Sequence, residues 1–450
     1  MPSLDAVLAE KTPGAVAERV ASVAGGLRAR GVRRGDAVAW QLRNVEQAVL
    51  LYRGCWRLGA VAVPVHHSMG TADAAAALAQ VEPRVTLTEP GDVDGLVGLA
   101  PPVTPAHSAG RPADLAVALF TSGSTGAPKA VLHTQRGLAY KALLMRDVHG
   151  LTDDDAVLMP APLAHISGLL NGVLLPGVAG MRTVLMEKWD PDEALAIIAD
   201  ERITFMIGPP TFFVTLTAAS SFSGERVRSL RLISSGGAGV TPAFVERARE
   251  AFGAVVKRTY GSTEAPTVTT SHAGDPLDKS RDTDGRATGE VELRIGSGGE
   301  LWLRGPELFV GYADALQTRT THVRGGWFRT GDLATIDDRG WLTVVGRIKD
   351  VVIRGGENIS VAEVEGVLEA HPAVRQAVVV GYPDEVLGER VAAFVVADGS
   401  FDLEATRSWF AQRGVTRFKT PERVVQVDAL PTLAAGKPDR GALRELARRG

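Results

Sequence analysis

Thr121-Ser122-Gly123-Ser124-Thr125-Gly126-Ala127-Pro128-Lys129 decides how this chain is read. Nine residues hold four hydroxyls, two glycines and a lysine. Directly before them runs Leu115-Ala116-Val117-Ala118-Leu119-Phe120, a short apolar stretch that predicts a buried strand. A strand running into a Gly/Ser/Thr loop with a lysine outlines a phosphate cradle. Glycines let backbone N–H groups approach closely, hydroxyls donate hydrogen bonds, and the lysine offsets negative charge. The spacing does not fit G-x-x-x-x-G-K-[ST], which excludes a Walker loop. Taken alone, the stretch favours that cradle over a flexible Ser/Gly surface loop.

The flanking sequence alternates. Residues 16–30 have helical spacing and stop at Gly31; 37–40 read as a strand and 46–58 as a helix ending at Gly59. Strand 60–65, helix 71–80 and strand 84–88 follow, then a Pro-rich loop over 101–112. Later come helix 191–201, strands 203–207 and 230–233, and helix 242–252. This rhythm predicts an α/β fold of parallel, helix-covered sheets. Residues 271–286 read as a polar surface loop, and short strands at 291–295 and 300–303 predict a β-rich subdomain.

A boundary is expected near 346–350, dividing a large N-terminal domain (1–346) from a small mobile α+β C-terminal domain (347–450). The latter is predicted to hold a strand at 351–354, strands 377–380 and 391–396, and a helix over 403–412. Ser360 and Glu363 have capping-box spacing ahead of a helix with Val361, Val364, Val367 and Leu368 on one face.

The 450 residues are 45% hydrophobic and 22% charged, with a net charge of −3, which suits two or three globular domains and argues against a nucleic-acid binder. A single cysteine, Cys55, excludes an intrachain disulfide and reads as a buried small hydrophobe. Residues 1–16 lack an apolar signal core. The apolar stretch 169–181 is broken by Asn171, Gly172, Pro176, Gly177 and Gly180, so no membrane span and a cytoplasmic location are expected.

Three further clusters carry chemistry. In Tyr260-Gly261-Ser262-Thr263-Glu264 the ring suits stacking on a base, the threonine a phosphate and the carboxylate a magnesium ion. Alone it is equally a strand-end turn. In Gly326-Trp327-Phe328-Arg329-Thr330-Gly331-Asp332, followed by Gly346-Arg347-Ile348-Lys349-Asp350, an aspartate can accept from a ribose diol with an arginine beside it. Pro431-Thr432-Leu433-Ala434-Ala435-Gly436-Lys437 places one lysine near the C-terminus.

In order and spacing these stretches, with Gly355-Gly356-Glu357-Asn358-Ile359, resemble the adenylate-forming superfamily of acyl-CoA synthetases, nonribosomal adenylation domains and luciferases, over nearly the whole chain. The resemblance implies that Thr121, Ser122, Gly123, Ser124, Thr125, Gly126 and Lys129 hold the ATP phosphates. It places Tyr260 and Gly261 with Gly237 and Ala238 about adenine, Thr263 at the α-phosphate, Glu264 on Mg²⁺, and Asp332 with Arg347 on the ribose. Lys437 would bridge carboxylate and α-phosphate, with Thr263 and Glu264 completing the catalytic set. Lys349 matches the hinge, and Gly355 and Gly356 the strand lining CoA entry after domain rotation. Ala130, Gln135 and Ala435 depart from the family pattern without removing a charged group, and the N-terminal part looks shorter than usual.

The implied reaction is ATP-dependent activation of a carboxylic acid to an acyl-adenylate, then transfer to CoA. Pro162-Leu163-Ala164-His165-Ile166-Ser167-Gly168 resembles the segment bordering the acyl site, with Gly208, Pro209, Ser235 and Gly236 as further walls. No acid lies within 163–170 to pair with an ammonium, so an α-amino acid is disfavoured and an aliphatic, alicyclic or simple aryl acid fits. A carrier protein as acyl acceptor, and a catalytically inactive nucleotide-binding module, are the alternatives.

Overall fold

A computed structural model describes residues 2–122, 128–433 and 436–449; the Ser122 and Lys349 side chains lie outside that description. Gly123, Ser124, Thr125 and Gly126 of the expected phosphate cradle also lie outside the described residues.

The described residues form four sheets. In the first, Val85–Leu87, Ala37–Trp40, Val61–Pro64 and Leu115–Ser122 run parallel. Pro128–Thr134 and Gly311–Tyr312 then add antiparallel. Thr121 and Lys129 are not in a loop but face each other across a hairpin, whose second strand was not foreseen. Proline, lysine and histidine among its seven residues hide the apolar period.

In the second sheet Arg182–Leu185, Ala156–Met159, Phe205–Gly208, Leu232–Gly236 and Val255–Tyr260 are parallel, and Thr269–Thr270 and Arg286–Ala287 extend one edge antiparallel. Ala156–Met159, Phe205–Gly208 and Leu232–Gly236, each followed by a helical crossover, are buried almost throughout, as expected of strands covered on both faces. One face joins the first sheet in a core around Trp40, Tyr52 and Trp56. The other carries helices Pro191–Asp200, Pro210–Ala218 and Pro242–Phe252. The last of these starts at Thr241, whose Oγ1 accepts from the Phe244 N–H at 3.2 Å, has Pro242 in its first turn, and stops at Gly253. The polar stretch 271–286 is not all loop: it contains helix Leu277–Asp282, held to the sheet where Arg258 donates to Asp284 at 2.9 Å and to the Arg281 carbonyl.

The third sheet is antiparallel and ends with Trp327–Ile336 paired to Leu342–Arg347. The fourth, built on Val351–Arg354, Glu357–Ser360, Val374–Asp384, Gly388–Ala397 and Arg423–Gln426, has separate cores on its two faces. Ser360 caps helix Val361–Glu369 by accepting from the Glu363 N–H. The return half of the expected capping box is absent, because the Glu363 carboxylate pairs with Lys419 at 2.6 Å.

At the front, helix Leu4–Ala9 buries Leu4 and Leu8 completely. Its Asp5 pairs with Arg57 at 3.1 Å with both side chains at most 2% exposed, and its Leu4 N–H donates to Gln135 Oε1. No helix among the described residues is long and apolar enough to cross a membrane. The stretch 169–181 is instead a buried helical run whose turns over Leu170–Leu174 are π-type.

Candidate active site

Parallel strands leave a crevice beyond their carboxyl ends, where loops can bring side chains from several strands together. The second sheet places Met159, Gly208, Gly236 and Tyr260 at such ends. The third and fourth sheets close over this rim, and four of the predicted clusters meet there.

The first meeting is at Asp332. Its Oδ2 accepts from the Tyr260 hydroxyl at 2.6 Å and its Oδ1 from Arg347 Nε at 2.9 Å. The register of Trp327–Ile336 against Leu342–Arg347 sets Asp332 directly opposite Arg347, so two residues distant in sequence arrive as a cross-strand pair. Burial pushes the Asp332 carboxyl above its ordinary range, and the Arg347 guanidinium works against that shift. Burial and the Asp332 charge raise the Tyr260 hydroxyl well above its usual value, which keeps it a donor.

The second meeting is at Glu264. Its Oε1 accepts from the Tyr312 hydroxyl at 2.8 Å, and the Lys129 ammonium stands 5.6 Å from the centre of the Tyr312 ring. Thr121 is opposite Lys129 in the hairpin. The turn carrying Thr263 is braced from behind by His133, whose Nε2–H donates to the Thr263 carbonyl at 2.7 Å. Burial lowers the His133 pKa to about 4, so the ring is neutral and this tautomer persists. Gly261 packs so closely on Thr267 that a side chain there has no room.

The third meeting brings the C-terminal lysine inward. Gly237 has φ 76°, a conformation that favours glycine, and a Cβ there would stand 2.9 Å from Lys437 Cε and 3.3 Å from its Nζ. The preceding Gly436 lies on Phe212, and its carbonyl accepts from Thr211 Oγ1. Lys437 keeps solvent access, while surrounding protein lowers its pKa, aided by the Arg347 charge and opposed by Asp332 and Glu264. One ammonium therefore senses both carboxylates.

The apolar side of the crevice is formed by Gly208, Pro209, Phe212 and Ser235. Phe212 covers Gly208, and Ser235 Oγ donates to the Gly208 carbonyl at 3.1 Å. His165 caps the short helix Ile166–Leu169, and Ile166 packs on the main core. Burial, together with the neighbouring His66 and Lys437, lowers the His165 pKa to about 3. Its ring lies 5.2 Å from that of His66. Asn44 fixes this segment: its Nδ2 donates to the Ala161 carbonyl at 2.9 Å and its Oδ1 accepts from the Leu163 N–H at 2.9 Å.

Gly355 and Gly356 are not in the crevice. They form the turn between Val351–Arg354 and Glu357–Ser360, where the Gly355 N–H donates to the Leu387 carbonyl. Ala238 follows Gly237 along the rim, and Lys349 lies in the short turn Ile348–Asp350 between the third and fourth sheets. Sequence reasoning missed His133, Tyr312, His66 and Asn44. Only the doubled His66-His67 after an apolar strand offered a local signal.

Known proteins resemble this chain in sequence and fold. The pattern describing the AMP-binding enzyme family matches residues 9–313, and that of the AMP-binding enzyme C-terminal domain matches residues 363–437. The medium-chain fatty-acid–CoA ligase of Escherichia coli K12 is 33% identical over 97% of this chain and 86% of its own. A feruloyl-CoA synthase from an Amycolatopsis species is 33% identical over 95% of this chain and 92% of its own. The o-succinylbenzoate CoA synthetase of Bacillus subtilis, solved with its acyl-adenylate intermediate, superposes with a TM-score of 0.83 at 27% identity, covering 99% of this chain and 98% of that one. A crevice that gathers an aspartate, a glutamate and an inward lysine at the ends of parallel strands thus meets matching sequence patterns on both sides of it, and the chain belongs to the AMP-binding enzyme family, within the adenylate-forming superfamily.

Proposed function

We propose that the protein is an AMP-forming acid:thiol ligase that joins a non-amino carboxylic acid to CoA in two steps. The observation that carries this reading is the position of Lys437 against Gly237, beside Asp332 and Glu264. In the first step the acid's carboxylate oxygen attacks the α-phosphorus of ATP, and pyrophosphate leaves with the bond electrons. Both reactants are anions, and like charges a few ångströms apart repel by roughly 1–4 kcal/mol, depending on effective dielectric. The Lys437 ammonium between them turns repulsion into attraction and aligns the displacement. In the second step the CoA sulfur attacks the acyl carbonyl and AMP departs.

The roles are those the family resemblance implies, and the placement of the residues supports them. Tyr260 stacks on adenine against Gly237 and Ala238, while Asp332 and Arg347 take the ribose hydroxyls. Thr121 and Lys129, paired near the end of the two strands that leads into residues 123–127, grip the β- and γ-phosphates, and Thr263 meets the α-phosphate. Glu264 suits Mg²⁺: among the described residues its Oε2 has no hydrogen bond, and they contain no group of three metal-ligating side chains. One carboxylate completed by nucleotide phosphates is how this ion is usually held. Bound there, magnesium supplies neutralisation of the triphosphate charge. Lys437 obstructs the second step, so residues 347–450 rotate about Lys349 and bring Gly355 and Gly356 to the thiol path.

The acyl walls, Phe212, Pro209, Gly208 and Ile166, suit an aliphatic or aryl acid, as in relatives named for medium-chain fatty acids, ferulate and indoleacetate. A cytoplasmic location agrees with such substrates. ATP–pyrophosphate exchange across an acid panel tests the first step. Product analysis with CoA against a carrier protein tests the acceptor. No exchange with any acid would overturn the reading, and acyl transfer only to the carrier would correct its second half.

A further inference from the structure

At the seam beside the crevice, where the small C-terminal part meets the large one, one buried carboxyl group accepts a hydrogen bond from across the boundary. Helix Val361–Glu369 packs against helix Pro242–Phe252 across this seam. Glu369 is buried there, only 9% exposed. Its Oε2 accepts from Thr241 Oγ1 at 2.7 Å, and its Oε1 from the Ala377 N–H at 3.0 Å within its own part. Arg247, on the same helix as the Thr241 cap, donates to the Glu369 backbone carbonyl at 3.2 Å and to the Arg375 carbonyl at 3.1 Å. Thus two residues of the large part reach across to one helix end of the small part.

The charges are unevenly assigned. Glu365, one turn earlier, accepts from Arg440 and from the Val379 N–H, both at 2.8 Å. Arg247 directs its hydrogen bonds to carbonyls. The Glu369 carboxyl therefore has a hydroxyl and an amide as its partners but no cation. Burial pushes Glu369 up to about 7; the Thr241 and Ala377 hydrogen bonds oppose this, the Glu365 charge adds to it, and the Arg247 charge lowers it. The part that carries Glu369 also carries Lys437, and it touches the large part again where Thr211 donates to the Gly436 carbonyl.

We propose that Thr241 and Glu369 are positioning residues for Lys437: their hydrogen bond clasps the small part in the orientation that delivers the ammonium to Gly237. This rests on the role assigned to Lys437 above. In the clasp Glu369 is desolvated; released into water it titrates as an ordinary glutamate, near about 4.3. Closing thus takes up a proton between those two values. The clasp weakens by about tenfold per pH unit as pH rises through this window, and no further once Glu369 is ionised in both states. From pH 6 to pH 8 the total loss is about tenfold, with most of it below pH 7. The adenylating orientation is favoured on the acid side and release on the alkaline side.

Two substitutions that preserve local shape test the clasp. Glu369→Gln keeps size and hydrogen bonding but cannot ionise. Thr241→Asp keeps a good helix cap but sets a second carboxylate against Glu369. Each is measured with the full chain from pH 6 to pH 8, by ATP–pyrophosphate exchange and by thioester formation from supplied acyl-adenylate. The ratio of exchange in Glu369→Gln to that in the unsubstituted protein is expected to rise up to about tenfold across this range. Thr241→Asp is expected to lose about tenfold in exchange at pH 8, less at pH 6, with thioester formation retained, and Thr241→Ser to restore exchange. A constant ratio for Glu369→Gln, or equal loss of both half-reactions in Thr241→Asp, would overturn the clasp. Absence of exchange in the unsubstituted protein would overturn the ligase reading, and the clasp with it.

Discussion

Gly237→Ala perturbs the crevice through one added carbon. That carbon would stand 2.9 Å from Lys437 Cε, whereas comfortable carbon–carbon contact begins near about 3.5 Å. Something must move by roughly half an ångström, and the far end of a lysine moves more easily than backbone. The ammonium therefore shifts while the fold stays. A misplacement of about 1 Å at a reacting centre can cost about 100-fold, so half of that corresponds to a loss on the order of tenfold. The backbone adds its own cost, because alanine at φ 76° is strained by about 1–2 kcal/mol. In a domain of this size that lowers the unfolding midpoint by a few degrees. ATP–pyrophosphate exchange reads the first step, thioester formation from supplied acyl-adenylate the second, and a thermal scan the strain. The expected outcome is exchange down about tenfold, thioester formation near the unsubstituted rate, and a slightly lower midpoint. Full exchange in Gly237→Ala, or parallel loss of both steps, would refute the placement of Lys437 against this glycine as the working arrangement.

Lys437→Ala should abolish exchange yet largely spare thioester formation from supplied acyl-adenylate; equal loss of both ends the division of labour. Lys349→Pro should leave exchange intact and block thioester formation, as rapid-quench measurement of the two steps would show; an unaffected overall rate removes the hinge from that position. His133 titrates at about 4 when folded, below the ordinary 6.5, so its contribution to stability is complete above pH 6.5 and is lost as pH falls towards 4. One such proton corresponds to about 1.4 kcal/mol per pH unit, and His133→Gln should remove about one proton from the slope of stability against pH between 6.5 and 4. An unchanged slope in denaturant titrations would contradict a neutral, buried His133.

The sequence disclosed the reacting groups better than their supports. Tyr260 and Glu264 lie in a short stretch with glycine and hydroxyls whose chemistry is suggested locally. Asp332 and Lys437 instead read locally as a turn aspartate and a surface lysine, and gain meaning from the order of the stretches along the chain. The supports act over long separations. His133 meets Thr263 across 130 positions, and Tyr312 meets Glu264 across 48. Neither has a periodic or compositional mark, because a single side chain meeting one distant carbonyl or carboxylate leaves none. Helix 242–252 was readable to the residue because Thr241-Pro242 and Gly253 punctuate both ends. The strand Pro128–Thr134 was not, because its pairing with Leu115–Ser122, rather than its own period, makes it a strand.

The short helix at the front of the chain has a practical consequence for anyone expressing this protein. Starting translation downstream of Glu10 would strip away Asp5 and leave the Arg57 guanidinium enclosed without a counter-ion. Orphaning one member of such a pair typically costs about 3–5 kcal/mol, a large share of what holds a domain together. A fusion tag therefore belongs ahead of Ser3, joined so that the helix can still dock, and a shortened clone that comes out insoluble would be reporting a stranded arginine rather than a defective enzyme.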